Sequence, residues 1–143
     1  MRIVIAGSRA CVDPAVVDRA ISASPWAGKV TCVVEGGARG VDELARRWAE
    51  ERNVAVVSVL AEWDKYGRAA GPIRNRRMLR DHAPDGVVVI WDGRTHGSAS
   101  MIREAKNAKV PVFEFRTEGG KDSPAGAGDE LVRLEGVLRG DPR

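Results

Sequence analysis

Five apolar runs recur along the chain, at residues 3–6, 30–34, 54–60, 87–91 and 110–115. They are short, rich in β-branched side chains and closed by glycine or charge, which predicts buried strands. Between them apolar positions return at three- and four-residue spacing. Val17, Ala20 and Ile21 form one such set, Val41, Leu44, Ala45, Trp48 and Ala49 a second, and Met101, Ile102 and Ala105 a third. That is the period of an amphipathic helix. Asp13-Pro14 predicts a cap followed by proline at the first helical position. Another helix is expected over 72–83, stopped by Pro84, and the polar stretch 61–71 is expected to be loop.

Continuous apolar strands alternating with amphipathic helices predict an α/β fold, a parallel sheet covered on both faces. Five strands in the order 3-2-1-4-5 are expected, with strands one and four adjacent at the switch point. Right-handed crossovers start every helix at the carboxyl edge of the sheet. All the glycine loops then gather at that edge. The α/β domain is expected over 1–116. Residues 117–129 are rich in Gly, Ser, Pro and charge and read as a linker. Leu131, Val132, Leu134, Val137 and Leu138 then predict a short C-terminal helix or tail.

Composition narrows the class. The 143 residues are 43% hydrophobic and 30% charged, with a net charge of +3. That is globular protein able to bury a core, and the mild basicity permits an anionic ligand without demanding nucleic acid. Cys11 and Cys32 are too few for a disulfide framework. No apolar run approaches a membrane span, and residues 1–7 read as a strand rather than a leader. A cytoplasmic protein of a bacterium or phage is expected, with no membrane contact.

The loops carry the chemistry. Gly7-Ser8-Arg9 offers close backbone approach, a hydroxyl and a guanidinium for a phosphate, or equally a tight turn with a solvated arginine. In Gly36-Gly37-Ala38-Arg39-Gly40-Val41-Asp42, glycines between a strand and a helix expose N–H groups at a helix start, an anion site. Asp42 can cap that helix or accept from a ribose hydroxyl. Trp63, Asp64 and Lys65 can stack and orient a base, or pack the loop. Arginines at a helix N-terminus oppose the dipole, so Arg74, followed by Asn75, points to a bound anion. Asp92-Gly93 and Gly97-Ser98 flank a further helix start. Glu35, Asp64 and Asp92 are the acids available for general acid–base work on a nucleotide. The two histidines and two cysteines have no metal-ligand spacing, so no metal and no obligatory cofactor are expected beyond a nucleotide-type ligand. Neither a P-loop nor a G-x-G-x-x-G fingerprint is present.

Taken together, Ile5-Ala6-Gly7-Ser8-Arg9, Gly36 to Asp42, Trp63-Asp64-Lys65-Tyr66-Gly67, Ala70-Gly71-Pro72-Ile73-Arg74-Asn75 and Trp91-Asp92-Gly93 resemble the YspA-like branch of the SLOG superfamily. The resemblance spans about residues 1–115 and implies a Rossmann-like three-layer sandwich, nucleotide-type ligands and a homodimer or higher homo-oligomer. Trp48 and the C-terminal helix are candidate dimer contacts. Arg74-Asn75-Arg76-Arg77-Met78 and Gly97-Ser98 are also similar to stretches of the LONELY GUY phosphoribohydrolases. The catalytic glutamate of that family falls on Met101, which cannot carry a proton, and its lysine on Asn75; both departures count against that activity. Arg74-Asn75-Arg76 and Gly37 to Asp42 are similar to DNA-processing protein A. That resemblance implies single-stranded DNA as an alternative ligand, beside a nucleotide-processing hydrolase or transferase.

Overall fold

A computed structural model describes residues 1–118, 121–123 and 133–135. In chain order the elements are β1 (Arg2–Gly7), α1 (Val16–Ala23), β2 (Cys32–Glu35), α2 (Val41–Glu51), β3 (Ala55–Ser58) and α3 (Trp63–Tyr66). A 3₁₀ turn (Gly67–Ala69), α4 (Ala70–His82), β4 (Gly86–Trp91), α5 (His96–Asn107), β5 (Val112–Glu118), β6 (Lys121–Ser123) and β7 (Arg133–Glu135) follow. The five expected strands form a parallel sheet in the order β3-β2-β1-β4-β5. β1 lies at its centre, with Ile3 opposite Val33 on one side and Gly86 on the other.

The strands are apolar throughout because both faces are covered. Ile3, Ile5, Val88, Ile90, Phe113 and Phe115 point to one face and pack with α1 and α2. Val4, Ala6, Val87, Val89, Trp91 and Val112 point to the other and pack with Met78 and Leu79 of α4 and Met101 and Ala105 of α5. Met101 is fully buried there. Trp48 is engaged within its own chain: it is buried, its Nε1 donates to Asp18 Oδ1 at 3.1 Å, and the Arg52 guanidinium covers its ring at 4.8 Å.

Four expectations are corrected. The stretch 61–71 is not a loop: α3 and the 3₁₀ turn occupy it, and α4 begins at Ala70 with Pro72 in its first turn, where proline costs no hydrogen bond. Asp13 accepts the Ala15 N–H at 3.0 Å, capping a turn from which α1 emerges at Val16 rather than at Pro14. β5 crosses residue 116 and continues to Glu118. Arg133–Glu135, in the middle of the expected C-terminal helix, is strand β7, and Leu134 lies opposite Phe113 in antiparallel register. Leu131, Val132, Val137 and Leu138 lie outside the described residues. The outer edge of β5 explains the change. Its unpaired N–H and C=O groups need partners, and β6 and β7 supply them at Arg116–Glu118 and Val112–Glu114.

Gly86 opens β4 directly beneath the indole of Trp26; a Cβ there would stand 2.3 Å from Cζ2. The ring is 5% exposed and boxed into the core, so it cannot swing away freely. Gly86→Ala is therefore expected to lower the free energy of unfolding by about 1–3 kcal/mol, the usual cost of overpacking. Urea denaturation followed by tryptophan fluorescence measures it, and an unchanged midpoint would mean that the core yields at Trp26.

Candidate functional site

The turns after β1, β2 and β4 converge with α3 and α4 on a cleft of about 630 Å³ at the carboxyl edge of the sheet. Of the sequence-predicted residues, Gly7, Ser8, Arg9, Ala38, Asp42, Trp63, Arg74, Asn75, Gly97 and Ser98 line it. Glu35, Gly36, Gly37, Gly40, Val41, Asp64, Lys65, Asp92 and Gly93 do not. The cleft also takes Arg68, Gly71, Met78, Thr95, His96, Ser100 and Arg103, which the sequence reading did not select. Helical spacing could have found most of them. Gly71, Arg74, Asn75 and Met78 form one stripe of α4, and His96, Ala99, Ser100 and Arg103 one stripe of α5, each at i, i+3, i+4, i+7.

The glycines serve the protein's own packing. A Cβ on Gly7 would meet the Ile90 carbonyl oxygen at 2.0 Å, on Gly36 the Arg74 Nη1 at 2.3 Å, on Gly37 the Leu60 Cδ2 at 2.0 Å, and on Gly40 the Ser8 carbonyl oxygen at 2.3 Å. Gly37 and Gly40 also hold φ of 73° and 76°. The N–H groups expected to cradle a phosphate after β2 are taken internally. Gly37 donates to Glu35 Oε1 at 2.5 Å, Ala38 to Asp42 Oδ2 at 3.2 Å, and Val41 to the Ser8 carbonyl at 3.0 Å. Glu35 is fully buried and also accepts from the Ser58 hydroxyl, so it braces the loop. The start of α5 is different: the Gly97 and Ser98 N–H groups have no described acceptor, as the first turn of a helix leaves them, and they border the cleft.

Charge distribution follows from these contacts. Arg74 donates from Nη1 to the Gly36 carbonyl at 2.6 Å and from Nε to Asn75 Oδ1 at 3.0 Å. Asn75 in turn donates to Ser100 Oγ at 3.3 Å, joining α4 to α5 across the floor. Burial pulls the Arg74 guanidinium below the ordinary arginine value, against the attraction of Asp42. Arg9 lies over the Trp63 ring at 5.6 Å. Arg9, Arg68 and Arg103 have no carboxylate partner among the described residues, and Trp63 is 48% exposed beside them. Asp64 and Lys65 sit outside on α3, with the Lys65 ammonium 5.1 Å above the Tyr66 ring. Asp92 closes its own turn by accepting the Arg94 N–H at 2.8 Å. Gly93 backs onto Arg116. Among the described residues no three His, Cys, Asp or Glu side chains gather as a metal site, and no helix is long and apolar enough to cross a membrane.

Asp42 is the acid of the cleft. Burial pushes its carboxyl up to about 6, with the Ala38 N–H and the Arg74 charge pulling the other way. The folded chain thus holds this proton more tightly than the unfolded chain. The stability Asp42 contributes is complete below its ordinary value of 3.8 and is lost as pH rises through about 6. The cost at neutral pH is on the order of 3 kcal/mol at most. Asp42→Asn removes the titration. Its stability relative to the wild type is expected to climb between pH 4 and pH 6 and level off above pH 7 (about one unit beyond the folded value). Urea denaturation across that range tests this, and a flat difference would mean that Asp42 titrates normally.

The model of the YspA, cpYpsA-related SLOG family matches residues 1–66, from β1 through α3, including the loops after β1 and β2. The chain is also 39% identical over 123 residues to the Gene 61 protein of Mycobacterium phage D29, an alignment covering 80% of this chain and 95% of that protein. With the parallel sheet and the converging loops, these matches establish that the chain belongs to the YspA, cpYpsA-related SLOG family.

Proposed function

We propose that the cleft binds a nucleotide or a nucleotide-derived phosphate ligand, and that the protein acts as a sensor or sequestering protein for it. One observation carries this reading: Arg9, Arg68 and Arg103, none with a carboxylate partner among the described residues, line the same cleft as the unengaged N-terminus of α5. Like charges brought together repel, and an anion of several oxygens relieves that repulsion. The half-exposed Trp63 at the same cleft offers a face for a base. The volume of about 630 Å³ is of the size that encloses a small organic ligand rather than a bare ion. Membership of the SLOG family is compatible with a nucleotide-related role. Glu35, Asp64 and Asp92 lie off the cleft, which favours binding over acid–base chemistry by those three residues.

Arg103, exposed on the third turn of α5, can be removed without disturbing the core. Arg103→Ala is expected to weaken binding of a nucleoside monophosphate about ten- to hundredfold, the worth of a charged hydrogen bond, while the nucleoside is little affected. Calorimetry at fixed ionic strength makes the comparison. Equal losses for nucleotide and nucleoside would assign Arg103 a structural role, and unchanged nucleotide affinity would move the phosphate elsewhere. Raising the salt separates this ligand from single-stranded DNA, whose affinity falls far more steeply.

A further inference from the structure

Asp42 is the single acidic residue among those lining the cleft, amid four arginines. It is 6% exposed. Its Oδ2 accepts the Ala38 N–H at 3.2 Å, and the Gly36 N–H also bonds to the carboxylate, both from the loop after β2. The bonds of neighbouring Arg74 go to Gly36 and Asn75 instead. Two N–H donors leave part of the roughly four acceptor sites of a carboxylate unused, and a phosphate cannot take the rest because both are negative. What fits the remaining acceptor sites is a neutral donor on the ligand.

The topology says which donor. Across the carboxyl edge the strands run β3-β2-β1-β4. Trp63 follows β3, Asp42 follows β2, Ser8 follows β1, and Gly97 and Ser98 follow β4. Adjacent strands are about 4.8 Å apart, so these groups stand in a row: a helix start for a phosphate, a hydroxyl and a carboxylate in the middle, an indole at the far end. A nucleotide laid along that row has its sugar over Ser8 and Asp42. Ser8 Oγ accepts the Ala10 N–H at 3.3 Å, and its own proton has no acceptor among the described residues. It can donate to the sugar that Asp42 receives from.

We propose that Asp42 accepts a hydrogen bond from the ribose 2′-hydroxyl, so that the cleft selects ribonucleotides over 2′-deoxyribonucleotides. This rests on the nucleotide reading given above. The test is calorimetry of adenosine and guanosine 5′-monophosphates against their 2′-deoxy forms, with the wild type and with Asp42→Asn, which keeps the shape of the side chain. The wild type is expected to prefer the ribose form of each base by about ten- to hundredfold, and Asp42→Asn to reduce the preference to about fivefold or less, because a neutral acceptor replaces a charged one. Equal affinity of the wild type for both sugars overturns the inference and leaves the nucleotide reading standing. A preference undiminished in Asp42→Asn, or one that follows the base and ignores the sugar, assigns Asp42 another role and also overturns it. Failure of every nucleotide to bind sinks the nucleotide reading and the inference with it.

Discussion

One buried cation organises the carboxyl edge of this sheet. The guanidinium of Arg74 leaves α4, donates to the Gly36 carbonyl at 2.6 Å, and so ties a helix to the loop after β2. Glycine at residue 36 leaves room for that bond, since a Cβ would stand 2.3 Å from the same nitrogen and push the guanidinium aside. The positive charge also lets Asp42 sit deep in the protein. Burial pushes that carboxyl up and neighbouring Glu35 adds to the push, while Arg74 opposes both. A buried charge is tolerated only when it is paired or hydrogen-bonded, and here one arginine answers a carbonyl, an amide oxygen and a carboxylate together.

The same economy runs through the loops. A glycine-rich turn between strand and helix is the usual form of a phosphate cradle, yet the turn after β2 presents its Gly37 and Ala38 N–H groups to the protein's own Glu35 and Asp42. Two internal carboxylates stand where an external anion was expected. The unengaged N–H groups at the cleft are instead those at the start of α5, where no described side chain folds back onto Gly97. Asp42 is thus the one acid among the residues lining the cleft, with Arg74 beside it, Arg9 over Trp63, Arg68 in the turn after α3 and Arg103 on α5.

Much of the fold was legible along the chain. Continuous apolar runs and period-3.6 helices are local patterns, and five alternations of them leave few arrangements once crossovers are right-handed. The glycine and serine of the α5 start were legible for the same reason, because helix starts at one sheet edge converge. Ser100 and Arg103, one and two turns inside α5, share the helical spacing of that start, but which side of α5 faces α4 is set by the packing of Met101 and Ala105 on the sheet. Asp42 could be seen as a cap or a sugar ligand, but its raised proton affinity comes from burial in the folded chain, against the pull of Arg74, 32 residues away in sequence.

The sequence by itself determined the succession of elements, the parallel sheet and its strand order, and the edge at which the loops meet, because these follow from hydrophobic periodicity and chain chirality. Tertiary structure decided what each loop group does. Whether a glycine clears space for a ligand or for Leu60, and whether an N–H faces solvent or a carboxylate, depends on atoms brought within 3 Å by packing. The C-terminal stretch shows the same division. Leu134 carries the periodicity of a helix, but the open edge of β5 offers backbone hydrogen bonds to an extended chain, and Arg133–Glu135 takes them as a strand. Side-chain pattern is local information; an unpaired sheet edge is not.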